Sequence, residues 1–377
     1  MHLCPNKEVC GSCSWSHIPY EKQLEQKLSD INGSFKLKSL KLKVKEIIPS
    51  PVTEHYRNRM DFVIDFEGNV GMRMKGKWWK VIDNHFCFLA DKTIEELFTV
   101  VRDWTKTARL SFFDRKVHTG ILRYAVIRVT KTGESMLNIV TSAPANKEEE
   151  ATITQALKDL AKKTSVSTLI WAINSTITDV SFGDDLRVIS GSGFMTEEIN
   201  GFKYIVTPQA FFQTNSHGAE YLLLTVSEMV GNVESKTLLD LYCGSGFFSI
   251  ALAKQTKKTI GIELNEQAIV DAKQNVLLNN ISGDIEYFDA KTEDFDWKNL
   301  GADVVILDPP RSGMHDKALA DVLSAKPKTI VYVSCNYKNF AREMVQLQEY
   351  YDVEAIKAID MFPHTPHVEL VTKLVLK

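Results

Sequence analysis

Cys335 stands in the run Val333-Ser-Cys-Asn336, 27 residues past Asp308 and 34 before Glu369. A thiol that ends a predicted strand, beside the Asp-Pro-Pro turn that ends another, is placed like a nucleophile over a bound cofactor. An isolated cysteine at a strand end is more often inert core than catalytic, so its companions decide the reading. Carbon 5 of a pyrimidine is not nucleophilic by itself. A thiolate adding at carbon 6 makes an enolate, which gives carbon 5 the electron density to take a methyl group. The carbon-5 proton must then leave so that the thiol can be eliminated. Such a reaction needs one thiol, one base and a methyl donor, and Cys335 and Glu369 are candidates for the first two.

The donor site is legible upstream. Asp240-Leu-Tyr-Cys-Gly-Ser-Gly246 reads as a strand running into a glycine-rich turn and a helix. Gly244 and Gly246 allow close backbone approach, and a helix N-terminus favours the polar end of a ligand. Nineteen residues past Gly244, Glu263 ends the next strand, where a carboxylate can accept hydrogen bonds from two ribose hydroxyls. The full G-x-G-x-x-G fingerprint is absent, which disfavours NAD and favours S-adenosylmethionine. Asp289 is a candidate adenine contact, with a solvated turn aspartate as the alternative. In Asp308-Pro-Pro-Arg311 the prolines stiffen the turn and hold the aspartate forward. Arg311 stands where amino-group methyltransferases carry a stacking aromatic residue, so attack by an exocyclic amine is disfavoured. Cys243, inside the cofactor turn, is assigned to packing.

These motifs need elements to hold them. After about residue 219 strands and helices alternate, with predicted strands at 237–242, 259–263, 285–288, 303–307 and 329–334, helices between them, and two final strands. Alternation at this spacing implies a doubly wound, mostly parallel α/β sheet with its ligand at the carboxyl ends of the strands. From about 47 to 204 short alternating strands dominate an α+β region interrupted by helices near 94–107 and 147–162. A helix is predicted over 20–31. The run Phe35–Lys45, alternating lysine with apolar residues, reads as a strand with one basic face.

The 377 residues suffice for two or three domains. No apolar run reaches the ~18 residues that span a bilayer, and no signal-peptide core opens the chain. A cytoplasmic monomer with no membrane association is expected. The net charge of −3 excludes a wholly basic nucleic-acid binder, yet residues 35–80 hold eleven lysines and arginines against five acidic residues. Six cysteines in a reducing compartment argue against disulfides. Cys4, Cys10 and Cys13 form C-x5-C-x2-C, with Cys87 far downstream, a set open to zinc or to an iron–sulfur cluster.

Taken in order, the cysteine set, Tyr56-Arg-Asn-Arg59, Pro208-Gln-Ala-Phe-Phe-Gln-Thr-Asn215, the Asp240–Gly246 turn, Gly261-Ile-Glu263, Asp308–Arg311, Ser334-Cys-Asn336 and Asp360–Glu369 resemble the RNA uracil-C5 methyltransferases over nearly the full chain. The resemblance implies a Rossmann-like class I methyltransferase domain with a mostly parallel seven-stranded sheet over 206–377. It also implies an α+β, RNA-binding region over 1–205, in which 14–46 pack on the catalytic domain. It assigns Cys335 as nucleophile and Glu369 as base. Gln213, Tyr242, Glu263 and Asp308 become S-adenosylmethionine contacts beside Gly244 and Asp289, and Cys4, Cys10, Cys13 and Cys87 the ligands of a [4Fe-4S] cluster. Arg57 and Asn58 fall in a stretch near the family's RNA path, with salt bridging inside the fold as the alternative. Several members begin with a basic β-barrel, the TRAM domain, which is missing ahead of Cys4. Members with a cluster but no barrel resemble the enzyme for 23S ribosomal RNA, so a ribosomal RNA loop is the favoured substrate and the T-loop of tRNA the alternative. Cytosine-C5 methylation and a non-catalytic iron–sulfur RNA-binding protein are the remaining readings.

Overall fold

The computed structural model describes residues 4, 6–84 and 86–377. In chain order it contains α1 (Tyr20–Leu37), β1 (Ile47–Ile48), β2 (Arg59–Ile64), β3 (Val70–Met74), β4 (Lys77–Asp83), α2 (Lys92–Thr107), β5 (Leu122–Val129), β6 (Ser135–Ser142), α3 (Lys147–Lys163), β7 (Thr168–Asn174) and β8 (Asp185–Ser190). The hairpin β9 (Met195–Ile199) and β10 (Phe202–Val206) follows. Then come α4 (Ser216–Val230), β11 (Thr237–Leu241), α5 (Phe247–Leu252), β12 (Lys258–Glu263), α6 (Glu266–Leu278), β13 (Asp284–Asp289), β14 (Val304–Leu307), α7 (Asp316–Ala325), β15 (Thr329–Ser334), α8 (Tyr337–Leu347), β16 (Tyr351–Ile359) and β17 (Glu369–Leu376). The chain forms two compact units, interleaved in sequence: 1–17, 54–197 and 206–209 make one, and 18–53, 198–205 and 210–377 the other.

The first unit is a seven-stranded sheet in the order β4-β3-β2-β5-β6-β7-β8. Its central strands β5, β6 and β7 are buried almost throughout, so they read as continuous apolar runs instead of alternating ones. Helices α2 and α3 are joined where the Trp104 indole donates to the Ala156 carbonyl at 3.1 Å. Asp91 and Asn146 cap them by accepting from backbone N–H groups one turn on, which fixes where each helix starts.

The second unit carries the doubly wound sheet, in the order β1-β16-β17-β15-β14-β11-β12-β13. It has eight strands, not the seven expected, because the short β1 pairs in parallel with β16 at Ile47–Ala358 and Ile48–Ile359. Strands β11 to β15 run parallel, while β17 lies antiparallel to both β15 and β16. Leu239, Leu241, Ile260, Ile262, Val305, Leu307, Ile330 and Tyr332 fill the core beside this sheet. Burying each such side chain contributes about 1.5–3 kcal/mol.

The strand expected at 35–45 is not there. Helix α1 continues to Leu37, and 38–46 is irregular. Phe35, Leu40 and Val44 are buried in the catalytic core, Phe35 with its ring 5.9 Å from that of Phe340, while the lysines between them face solvent. The alternation reflects the end of α1 and an irregular segment anchored by its apolar residues, with no ladder.

Helix α1 buries polar side chains as well. Lys27 forms an ion pair with Asp360 at 2.7 Å, both side chains fully buried, and donates again to the Phe362 carbonyl at 3.1 Å. Gln23 accepts from the His364 N–H at 2.7 Å and lies 3.1 Å from its Nδ1. Four residues apart, Gln23 and Lys27 share one face of the helix and grip the segment that leads into β17. Burial pushes the Lys27 ammonium pKa down and Asp360 opposes that shift. Removing one partner of such a pair strands the other charge, at a cost of about 3–5 kcal/mol. Lys27→Met should therefore lose about that much in urea unfolding. The double variant Lys27→Met/Asp360→Asn should recover most of it, and a double variant as unstable as the single one would show that the charge pair is not what the site needs.

Candidate active site

Five parallel strands deliver their carboxyl ends to one edge of the sheet, and the candidate residues follow from that geometry. Tyr242 and Gly244 follow β11, Glu263 ends β12, Asp289 ends β13, Asp308 follows β14 and Cys335 follows β15. The register places Glu263 beside Asp289 and Leu241 beside Leu307, one residue before Asp308. Since β17 runs the other way, its first residue, Glu369, lies at this same edge. Ser334 pairs with Leu370, where the ladder ends, so Cys335 and Glu369 are the next residues on either side, close enough for Glu369 to act on the thiol.

Around the glycine turn the backbone is held by carboxylates. Tyr242 has φ 65°, and Gly244 and Gly246 have φ 55° and 84°. A Cβ on Gly246 would come within 2.6 Å of the Tyr287 hydroxyl, whereas one on Gly244 meets nothing, so that face of the turn is open to a ligand. Glu263 accepts from the Gly244 N–H at 3.1 Å and the Asn265 N–H at 2.8 Å, one on each oxygen. A carboxylate has about four lone-pair sites, which leaves capacity for two hydroxyls. Asp240 accepts from the Ser249 N–H at 3.1 Å, and burial raises its pKa to about 7. Cys243 packs with Ile269, Ala272 and Tyr287.

The chemistry-bearing groups are coupled. Burial raises the Cys335 thiol to about 12, with Glu369 and Asp308 adding to the rise and Arg311 opposing it. Burial and the charge of Asp240 lift Asp308 to about 8. Glu369, 6% exposed, is pushed well above the ordinary carboxyl range by burial and by Asp308. Glu369 is buried and Asp308 and Cys335 partly so, and acidic groups this close disfavour one another's ionisation. Cys335 itself is partly exposed and immediately precedes Asn336, the N-cap of α8, where the helix dipole favours a thiolate.

Several residues that organise this edge were not singled out from sequence. Asn336 and Asn339 both donate to the Arg311 carbonyl, at 3.2 and 2.8 Å, fastening the Asp-Pro-Pro-Arg turn to the start of α8. The buried Glu343 accepts from the Met314 N–H at 3.1 Å and from the Tyr332 hydroxyl, joining that turn to α8 and β15. Arg311 lies 3.2 Å from His367 Nδ1. Only Asn336 carried a signal, as a cap residue before a helical run. Gln213 lies half-buried two residues before Asn215, which caps α4 and donates to the Met361 carbonyl at 2.8 Å. Its segment is thus tied to the stretch that leads to Glu369.

The four N-terminal cysteines lie in the first unit, all buried and none in a disulfide. Cys13 is hydrogen-bonded to Cys4, and burial together with Cys4 and Cys87 raises its thiol to about 12. Cys10 acts in turn on Cys87, and Arg57 borders both Cys87 and Cys13. The donor chemistry therefore suits a thiolate-bound group. Among the described residues, however, no group of three or more His, Cys, Asp or Glu side chains is placed to hold a metal ion. No described helix is long and apolar enough to cross a membrane.

A doubly wound sheet with a glycine turn braced by the Glu263 carboxylate, and a thiol beside a buried glutamate, is the arrangement of a Rossmann-like methyltransferase. Residues 19–376 match the family model described as tRNA (Uracil-5-)-methyltransferase, and the chain belongs to that family. It is 41% identical over 369 residues to the tRNA (uracil(54)-C(5))-methyltransferase of Pyrococcus horikoshii, covering 97% of this chain and 84% of that one. The corresponding Pyrococcus furiosus protein is 40% identical over 366 residues, covering 97% and 83%. The crystal structure of the Pyrococcus abyssi tRNA (uracil-54, C5)-methyltransferase in complex with S-adenosyl-L-homocysteine superposes with a TM-score of 0.83 at 38% identity, covering 97% of this chain and 86% of that one. The protein is an RNA uracil-C5 methyltransferase.

The raised pKa of Asp308 has a consequence for stability. The folded protein holds a proton there up to about pH 8, which the unfolded chain releases near the usual carboxyl value. Its stabilising contribution is complete below about pH 4 and is lost as pH rises through 8. Asp308→Asn should therefore melt about 3 °C or more above the parent at pH 8 and close to it at pH 4. Equal differences at both pH values would contradict a buried, proton-holding carboxyl.

Proposed function

We propose that this protein methylates carbon 5 of a uridine in tRNA, at the position its relatives' names give as 54. The observation that carries the reading is that the antiparallel ladder of β15 and β17 ends at Ser334–Leu370, leaving Cys335 beside Glu369 at the edge where the glycine turn and Glu263 lie. S-adenosylmethionine, when bound, supplies the methyl group. Gly244, Tyr242, Glu263, Asp289, Asp308 and Gln213 are assigned to holding it. The Cys335 thiol gives its proton to solvent water and its sulfur adds to carbon 6 of the uracil, moving the ring π pair towards carbon 5. Once carbon 5 carries the methyl group, Glu369 in its ionised form takes the carbon-5 proton. The pair re-forms the double bond and the sulfur leaves as thiolate.

The relatives favour the tRNA reading over the ribosomal RNA one. The relatives at 38–41% identity that span 97% of the chain are named for tRNA uracil-54. With tritiated S-adenosylmethionine, the protein should label an unmodified tRNA transcript, and a U54C transcript should not be labelled. Cys335→Ala should lose at least about 10³-fold in rate, the scale seen when a nucleophile is removed. Glu369→Gln should accumulate a covalent protein–RNA adduct. Undiminished turnover by Cys335→Ala would remove the covalent mechanism, and normal turnover by Glu369→Gln would remove the assigned base.

The reading also assigns Cys4, Cys10, Cys13 and Cys87 to a [4Fe-4S] cluster, supported by four buried thiols in one unit, Cys13 beside Cys4 and Cys87, and Cys87 near Cys10. Held there, the cluster would fasten the 4–13 loop to the Cys87 turn, with no part in methyl transfer. Anaerobically purified protein should contain iron and acid-labile sulfide in equal amounts, and Cys13→Ser should lose most of both. A parent protein free of iron after anaerobic reconstitution would overturn the assignment.

A further inference from the structure

The first unit exposes two adjacent tryptophans. Trp78 and Trp79 on β4 are 55% and 44% exposed, with their rings 6.0 Å apart and nearly perpendicular. Large aromatic rings left in water forgo burial, and a patch of them marks an interaction surface. Among the described residues β4 is the outermost strand of its sheet, with no further strand paired to it.

Local backbone geometry shows that this exposure is built. Arg73 pairs with Val81, but the next residue, Met74, pairs with Lys77. Trp78, Trp79 and Lys80 are left in a bulge with no register partners on β3. A bulge re-aims side chains and interrupts the edge ladder, which disfavours pairing with a strand of a second copy. The bulge is also braced. The Arg73 guanidinium bonds the Trp78 carbonyl, pairs with Asp179 at 2.5 Å and donates to the Tyr124 hydroxyl at 2.8 Å. At the tip, the Lys75 N–H donates to the Val9 carbonyl at 2.7 Å, and the Lys75 stem lies against Gly11. The hairpin is therefore tied to the loop that carries Cys10 and Cys13. Lys75, Lys77 and Lys80 flank the two tryptophans along the hairpin, all exposed.

We infer that the β3–β4 hairpin is a stacking platform for an unpaired segment of the RNA substrate. Bases stack on Trp78 and Trp79, and phosphates meet Lys75, Lys77 and Lys80. Every base has a π face, so such a platform contributes affinity without reading sequence, and the lysines add a salt-dependent part. The inference rests on RNA being the substrate, as proposed above, and names where an unpaired part of it is held.

The test uses the full-length protein and an unmodified tRNA transcript. Trp78→Ala/Trp79→Ala should raise the tRNA Kd at least about tenfold, with the loss falling on KM, while the melting temperature stays that of the parent. Trp78→Phe/Trp79→Phe, which keeps the rings, should restore most of the affinity. Lys75→Ala/Lys77→Ala/Lys80→Ala should flatten the dependence of log Kd on log salt. A double alanine variant that folds and binds tRNA within twofold of the parent overturns the platform, while methyl transfer by the parent leaves the proposed activity standing. Unchanged tRNA affinity together with loss of self-association in sedimentation would assign the face to a second copy and also overturn it. A parent protein that neither binds nor methylates tRNA would remove the proposed substrate, and the platform with it.

Discussion

The reversal of one strand organises the catalytic unit. Were β17 parallel to β15, Glu369 would lie at the opposite end of the sheet from Cys335, about a strand length away. Running antiparallel, it begins where β15 ends, and the ladder that holds the two strands together also sets the thiol against the carboxyl. A pairing slip of one residue would turn Glu369 to the other face of the sheet. The buried residues of β17, with Leu370 and Leu374 in the core, make that slip expensive. Precision at the site is thus a by-product of core packing, which is how strands hold functional groups better than loops do.

The remaining groups reach the site on turns, and each turn is fastened by polar side chains buried nearby. Glu263 braces the glycine turn, Asn336 and Asn339 hold the Asp-Pro-Pro-Arg turn, and Glu343 joins that turn to its neighbours. Helix α1 does the same for the segment before Glu369 through Gln23 and Lys27. The acidic cluster of Cys335, Asp308 and Glu369 is built at a cost to stability, because burial disfavours the ionised forms that chemistry uses.

Much of this was legible in the residues. Period and turn chemistry located the strands that end in Glu263, Asp308 and Cys335 to within a residue or two, since buried parallel strands leave short apolar runs between recognisable turns. The ordered motifs carried the family. What sequence did not yield has physical causes. The Phe35–Lys45 run alternates for reasons unrelated to a ladder, and a two-residue strand such as β1 has no periodicity to detect. Lys27 and Gln23 look like ordinary solvated helix residues until Asp360 and His364, over 330 positions away, are seen against them. The choice between RNA substrates left no mark in any motif, because methyl transfer to carbon 5 needs the same groups whichever loop presents the uridine.

The Lys27–Asp360 pair joins residues 333 positions apart in sequence. During synthesis α1 emerges long before the segment that neutralises its lysine, so that lysine must stay hydrated while the first unit is being made. The catalytic unit can close only after the ribosome has delivered its last strands. Its assembly therefore belongs to the slow, non-local kind, in which loop closure precedes the reward of packing. A chain stalled before Asp360 would leave Lys27 of α1 without its counter-charge and the sheet without β17, a natural target for chaperones and proteases.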